Sequence, residues 1–187
     1  MTTLTTQQGL DKDQLTSITY NTENKLSPNH TKIYKKFIGP SNFTFSFSLI
    51  SWLIRQAKNY DLIVLQGIWN FPFLAAFFVA RFYKIPYIVF THGTFNPESF
   101  HGNSTLLKRA LYFLYVKRML IQARYVFFTT NVEHRKLIEF LNIKVNAAII
   151  PNIVKKQDFE NLPPRGKFRA QLAIRPESTA ILHFGRI

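Results

Sequence analysis

His92 is the residue of this sequence best placed to do chemistry. It directly follows the apolar run Pro86 to Thr91 and precedes Gly93. An imidazole titrates close to neutral pH, so a histidine at the end of a strand can give or take a proton. A histidine at a strand end is also often only a hydrogen-bonded loop residue, and the residue types alone favour that second interpretation. His92 is therefore a candidate whose role depends on its surroundings.

Two further segments place polar groups directly after apolar runs. Gly67 to Asn70 follows the run Asp61 to Leu65, and Thr129 to Glu133 follows a later one. The spacing of Thr130 and Glu133 is typical of a capping box, in which a hydroxyl and a carboxylate satisfy free backbone amides at the start of a helix. Capping explains Glu133 fully, and contact with a ligand is the alternative.

Several kinds of site are excluded or disfavoured by the residues. With 0 cysteines, the chain has no disulfides, thiolate metal sites or cysteine nucleophiles. Asp11 and Asp13 are spaced like a metal-binding acidic pair, but they follow no predicted strand and we regard the spacing as chance. No glycine-rich phosphate loop occurs among the 7 glycines. The remaining histidines lack the spacing of metal ligands, so we expect no metal site: His30, His101, His134 and His183.

The chain carries a large surplus of positive charge. Its 187 residues include 24 Lys and Arg against 10 Asp and Glu, a formal net charge of +14. The natural partners of such a surface bear phosphate: nucleotides, nucleic acid or an anionic membrane. The polar start, Met1 to Gln14, lacks the pattern of a secretory signal, and no apolar run reaches the roughly 20 residues of a membrane span.

Short apolar runs alternate with helical patterns through the middle of the chain. The alternation has no tight hairpin signals, which favours parallel strands joined by crossover helices and an α/β fold. In such sheets the loops at the carboxyl ends of the strands form the binding crevice. The predicted strands are Asp61 to Leu65, Pro86 to Thr91, Tyr125 to Thr129 and Val145 to Ile150.

Outside these runs the pattern is weaker. From Met1 to about Gly39 we expect mostly loop, because no period of 2 or 3.6 persists. Phe43 to Gln56 is predicted to be a helix, with Phe47, Ile50 and Ile54 on one face.

Thr105 to Gln122 is predicted to be an amphipathic helix with a basic surface. Its apolar positions include Leu111, Leu114 and Met119, and its Lys and Arg residues lie elsewhere. The basic surface is either ordinary solvated charge or a contact to anionic lipid head groups.

The tail differs from the rest of the chain. Asn161 to Gly166 has the composition of a linker, Lys167 to Ile174 is a predicted short helix, and Thr179 to Phe184 reads as a buried strand. A buried strand needs neighbours, so we interpret this one as the first strand of an absent second domain. We place one domain at residues 1–160, and a linker with the start of a second domain at 161–187.

The order of these segments resembles the amino-terminal half of glycosyltransferase family four, whose members have the GT-B fold of two Rossmann-like domains facing a cleft. The resemblance covers roughly Ser48 to Ile187. It rests on a series of motifs: Tyr60 to Asn70, Ile85 to Gly93, Thr129 to Glu133, Ile149 to Asn152, and His183 to Ile187.

This resemblance implies metal-independent transfer of a sugar from a nucleoside-diphosphate sugar to a glycan or lipid-linked acceptor, without a cofactor. His92 matches the cleft histidine of the family, and Arg186 matches the arginine that pairs with the donor diphosphate. Acceptor contacts are expected from the loops that follow the strands: Gly67, Trp69, Asn70, Gly93 and Glu133.

Two departures from the family pattern affect activity. Met1 to Thr6 looks like the family's second strand, so the first strand, its loop and its helix are expected to be missing. The chain also stops after Arg186, before the segments that hold the donor nucleotide. We therefore expect this chain to be inactive alone. It is then either a fragment of a longer gene product or one part of an interrupted gene, whose partner would be a complementary carboxy-terminal domain chain.

Two other functions compete with sugar transfer: a basic nucleic-acid-binding domain and a non-catalytic partner domain. Nucleic acid is disfavoured because the aromatic residues lie within apolar runs and do not alternate with Lys and Arg. The enzyme interpretation places the chain in the cytoplasm, in a pathway making a cell-surface polysaccharide or glycolipid. An anionic membrane at its inner face is then a candidate partner.

Overall fold

The structure is a computed structural model that describes residues 1–6, 17–40, 43–93, 109–153, 156–160, 166–175, 177–179 and 181. Its backbone falls into two compact units, Met1–Pro151 and Asn152–Ile187. In the described part of the second unit, a 3₁₀ turn spans Lys156–Phe159 and a short helix spans Lys167–Gln171. The predicted helix of the tail is thus confirmed in shorter form.

Most of the predicted final strand lies outside the described residues. Thr179 and Ile181 are its only described positions, and neither is in a strand. The predicted linker is likewise described only at Gly166.

The chain begins with a small mixed sheet. Its strands are β1 (Thr2–Thr6), β2 (Glu23–Ser27) and β3 (His30–Lys35), in the order β1-β3-β2. β1 runs parallel to β3, and β2 runs antiparallel to it. The expectation of mostly loop was wrong here, because ladder hydrogen bonds satisfy a strand's backbone even where its side chains are polar and lack an apolar alternation.

A second sheet of four parallel strands confirms the predicted α/β class. β4 (Ile63–Leu65), β5 (Tyr87–Phe90), β6 (Tyr125–Phe128) and β7 (Ala147–Ile149) pair in that order. Every pairing in this sheet is parallel. Crossover helices connect the strands, as in one Rossmann-like lobe of a GT-B fold.

The described residues around this sheet include the helices α1 (Phe47–Gln56), α2 (Phe71–Phe82), α3 (Lys117–Gln122) and α4 (Asn131–Leu141). A π-helical turn, Tyr112–Val116, leads directly into α3. Ser46 caps α1, since its hydroxyl accepts a hydrogen bond from the Leu49 amide at 3.3 Å. No helix in the described ranges is both long and apolar enough to cross a membrane.

Two predicted apolar faces were wrong in detail. α1 buries Leu49 and Leu53, whereas Phe47 and Ile54 are 66% and 49% exposed. In the predicted amphipathic helix Leu114 is 69% exposed. The π-helical turn explains the second error, because an extra residue in a turn shifts the phase of the helix away from a 3.6-residue period.

α2 and α3 pack on the same face of the four-stranded sheet. Tyr87 of β5 meets the ring of Phe77 in α2, with ring centroids 5.7 Å apart. The Tyr87 hydroxyl also donates to the backbone carbonyl of Met119 in α3 at 2.8 Å. Val89 and Val126 are fully buried beneath these helices. This apolar layer holds the carboxyl ends of the strands in a fixed arrangement.

Candidate functional site

The candidate site lies at the carboxyl edge of the four-stranded sheet. Three loops leave that edge, after β4, β5 and β6, and most of the predicted site residues lie in them. Carboxyl ends of neighbouring parallel strands meet at one edge, so these loops are brought together by the sheet itself.

The loop after β4 is held by close packing and by one buried hydroxyl. Gly67 has a φ of +148°, and a Cβ there would lie 2.5 Å from the ring of Phe73. Only glycine fits such an approach without a shift of the ring. The hydroxyl of Tyr115, in the π-helical turn, donates to the carbonyl of Ile68 at 2.8 Å. Both residues are about 1% exposed, so this loop has little freedom to move.

Trp69 and Asn70 complete the loop and lead into α2. Trp69 is partly buried against the core. Asn70 is the N-cap residue of α2, although its side chain makes no capping hydrogen bond. Pro72 lies in the first turn, where the missing amide hydrogen costs nothing. The predicted acceptor contacts of Gly67, Trp69 and Asn70 stay predictions.

The loop after β5 turns through two left-handed residues. His92 has a φ of +48° and Gly93 a φ of +71°. Histidine tolerates this region better than most side chains, but the conformation still has to be imposed by surrounding contacts. The His92 ring stacks on that of Phe90, with centroids 5.8 Å apart and planes 20° from parallel. His92 itself is exposed, so its imidazole is open to a ligand.

Glu133, in the first turn of α4, helps to impose the left-handed conformation of the loop after β5. The residue is 7% exposed, and its carboxylate accepts four hydrogen bonds. One oxygen accepts from the Thr91 hydroxyl at 2.5 Å and from the Gly93 amide at 2.8 Å. The other accepts from the amide and hydroxyl of Thr129, at 2.9 and 3.0 Å. The carboxylate thus ties the loop after β5 to the start of α4.

The capping prediction holds for one of its two residues. Thr130 is the N-cap of α4, and its hydroxyl accepts from the Glu133 amide at 3.1 Å. The Glu133 carboxylate turns instead to Thr129 and to the neighbouring loop. The loop after β5 supplies donors that are distant in sequence, and a buried carboxylate is stabilised by each hydrogen bond that it accepts.

Gln66 contacts the ring of His92. His92 Nε2 lies 2.6 Å from Gln66 Oε1, across the loops that follow β4 and β5. An amide oxygen accepts hydrogen bonds, so this contact suits an imidazole that carries its hydrogen on Nε2 and its lone pair on Nδ1. The arrangement gives an exposed imidazole held at Nε2.

The structure unites His92, Gly93 and Glu133 and adds two residues that sequence analysis did not single out, Gln66 and Tyr115. Gln66 had a usable signal, because it directly follows a predicted buried strand. Tyr115 had none, since its partner Ile68 lies 47 positions away in sequence.

Arg186 lies outside the described residues, so its expected contact with the donor diphosphate stays a prediction. Among the residues that the structure describes, no group of three or more His, Cys, Asp or Glu is placed to hold a metal ion.

Burial also acts on the tyrosines around the site. It raises the pKa of Tyr115 and of Tyr87 well above the usual value, because neither phenolate would be solvated. Both hydroxyls therefore remain hydrogen-bond donors at any physiological pH.

Comparison with known proteins identifies the family. A sequence profile described as the glycosyl transferase 4-like domain matches residues 23–153, which include all four parallel strands and the three loops of the candidate site. No curated protein and no solved structure matched the chain. On the profile match, the chain belongs to the family of glycosyltransferase 4-like domains.

Proposed function

We propose that this chain forms the acceptor side of an enzyme that transfers a sugar from a nucleoside-diphosphate sugar to a glycan or lipid-linked acceptor. The observation that supports this most is the exposed His92 imidazole, held by Gln66 at the edge where three loops meet. The family match of the chain supports transferase chemistry in general, and the geometry around His92 supports the more specific acceptor-side role.

The proposed step exchanges one oxygen for another at the anomeric carbon of the donor. The bond from that carbon to the diphosphate oxygen breaks, and a bond to the acceptor hydroxyl oxygen forms. His92 Nδ1 interacts with the transferred sugar or takes up the acceptor proton, while Nε2 stays bonded to Gln66. Arg186 is proposed to stabilise the charge that develops on the departing diphosphate.

The acceptor is proposed to contact the loops after β4 and β5. Gly67, Trp69, Asn70 and Gly93 line these loops, and an indole ring gives a sugar a flat apolar surface. For Glu133 we propose a positioning role, because both of its oxygens already accept hydrogen bonds from the protein.

The enzyme is proposed to act in the cytoplasm, on a cell-surface polysaccharide or glycolipid, with the donor-binding half supplied by a complementary domain. A lipid-linked acceptor would bring the domain to the inner face of a membrane. Transfer by the isolated chain would overturn the expectation that it needs this second half.

The test is sugar transfer from a panel of nucleotide sugars by extracts of cells that express the chain. His92→Asn is expected to lower transfer about 100-fold or more, the usual effect of losing a positioned acid or base. His134→Asn is the matched control, since His134 lies on α4 beside Phe128 and is expected to leave transfer unchanged. Wild-type transfer by His92→Asn would contradict the proposed role of His92.

Acceptor binding offers a second readout that needs no turnover. Trp69→Phe keeps an aromatic ring in the partly buried position and removes the indole. It is expected to weaken glycan binding in ligand-detected NMR by about tenfold, in line with the loss of a good contact. Unchanged binding would place the acceptor elsewhere.

A further inference from the structure

One surface of the first unit leaves large apolar side chains in solvent. Phe78 and Phe82, one turn apart on α2, are 54% and 79% exposed. Phe113 and Leu114, in the π-helical turn before α3, are each 69% exposed. Large aromatic and aliphatic groups exposed together in this way are typical of an interaction surface.

These side chains lie on the same side of the domain. Tyr87 contacts both Phe77 of α2 and Met119 of α3, so the two helices cover the same face of the sheet. Arg81 of α2 also donates a hydrogen bond to Gln122 of α3, which links the helices at their carboxyl ends. The outward residues of both helices therefore form one surface.

The same surface is basic. Arg81 and Arg118 are exposed, and Lys117 is half-buried beside Arg118. The sequence from Leu62 to Val132 contains one acidic residue, Glu98, which lies outside the described residues. We call this surface the aromatic–basic face, formed by Phe78, Arg81, Phe82, Phe113, Leu114 and Arg118.

Charge complementarity decides among the occupants. A second copy of the chain would bring like charges together, which opposes self-association through this face. A nucleic acid would match the cations but would leave the exposed alkyl and aromatic groups without a partner. An anionic bilayer offers phosphates for the cations and an apolar boundary for the rings, so it suits both sets of groups.

We propose that the aromatic–basic face docks on an anionic membrane surface. Phe78, Phe82, Phe113 and Leu114 enter the boundary between head groups and acyl chains, and the cations contact lipid phosphates. The proposal deepens the lipid-linked-acceptor part of the proposed function and rests on it for its biological purpose.

The test is co-sedimentation with vesicles of phosphatidylcholine alone and of phosphatidylcholine mixed with phosphatidylglycerol. The wild-type chain is expected to bind the anionic vesicles, to bind the neutral ones much less, and to lose binding as salt is raised. Negligible binding to both vesicles, or equal binding to both, would overturn the proposal.

Variants locate the contact. Phe82→Ser combined with Phe113→Ser is expected to weaken binding to the anionic vesicles about tenfold or more, because two exposed rings lose their burial in lipid. Arg118→Glu is expected to weaken it about tenfold or more, since it replaces an attraction with a repulsion. The control variants Leu26→Ser and Lys25→Glu change an exposed apolar residue and an exposed cation of β2, outside this face, and are expected to bind as the wild type does.

Three outcomes would overturn the assignment of this face. The first is binding of the face variants to anionic vesicles as strongly as the wild-type chain binds them. The second is a face variant that dissociates a dimer of the chain and leaves vesicle binding unchanged. The third is a face variant that keeps vesicle binding and loses binding to an oligonucleotide. All of the substituted side chains are exposed, and far-ultraviolet circular dichroism checks that the variants fold. Vesicle binding needs no sugar donor, so failure of sugar transfer and failure of docking are separate results.

Discussion

Two regions of this protein bury a charged side chain, and they compensate it very differently. At the carboxyl edge of the four-stranded sheet, Glu133 is 7% exposed and its carboxylate accepts four hydrogen bonds. In the three-stranded sheet, Lys35 is 4% exposed and its ammonium donates to one described partner, Asn21 Oδ1, at 3.0 Å. The Glu133 carboxylate holds the candidate site together, whereas burial of the Lys35 side chain lowers the stability of the three-stranded sheet.

The pKa of Lys35 reflects the difference. Burial lowers the pKa of the ammonium below its usual 10.5, and the nearby positive charge of Arg55 lowers it further. A charged group with too few partners loses more solvation on folding than it regains. Burial alone therefore says little about whether a charge stabilises a fold, and its hydrogen-bond partners decide.

The largest expected effect comes from removing the well-paired charge. Glu133→Ala would remove the carboxylate that accepts hydrogen bonds from Thr91, Gly93 and Thr129 and is expected to lower the free energy of unfolding by about 3 kcal/mol. Urea denaturation measures the change. Glu139→Ala is the matched control on the exposed side of α4, with an expected change within about 0.5 kcal/mol. Equal effects of the two variants would mean that the four hydrogen bonds contribute nothing.

A smaller effect is expected at the start of α4. Thr130→Ala removes the hydroxyl that accepts from the Glu133 amide and is expected to cost about 1 kcal/mol of stability. Thr130→Ser keeps an acceptor in place and is expected to restore most of the loss in the same denaturation assay. A serine variant as unstable as the alanine variant would argue against capping as the cause.

The smallest effect, with opposite sign, is expected in the three-stranded sheet. Lys35→Met keeps the length of the side chain, removes the poorly compensated charge, and is expected to raise the free energy of unfolding by about 1 kcal/mol. Lys25→Met, at an exposed position of β2, is the control and is expected to change little. Destabilisation by Lys35→Met would show that its bond to Asn21 outweighs the cost of burial.

Lys35 also predicts a dependence on pH. Its folded pKa lies below its unfolded value, so between the two the unfolded chain holds more protons and stability rises with pH. The wild-type chain is expected to gain stability as the pH approaches 10.5 from below, and Lys35→Met is expected to lose that contribution. Equal pH profiles of the two proteins, measured by thermal unfolding, would contradict this.

The two sheets also differ in how well they could be predicted. The four parallel strands were predicted within one or two residues at most ends, because strands buried on both faces need continuous apolar runs. β2 and β3 were missed because polar residues interrupt their apolar ones, and because β2 is largely exposed. A polar strand is specified by the partner it pairs with, which a local pattern does not contain.

The candidate site shows the same division. His92 and Glu133 could be selected from their places after predicted strands. Their pairing with other residues could not, because Gln66 lies 26 positions from His92, and Gly93 lies 40 positions from Glu133. Likewise, the exposure of Leu114 depends on a π-helical turn that a 3.6-residue period does not anticipate.

The sequence by itself determined the α/β class, the places of the parallel strands along the chain and the loops that hold the site, because burial of apolar runs is a local requirement. Only the tertiary structure decided which donors reach the Glu133 carboxylate, which side chain contacts the His92 ring and which apolar side chains face solvent. Those outcomes depend on groups far apart in the chain, and such groups meet only when the sheet and its helices have packed.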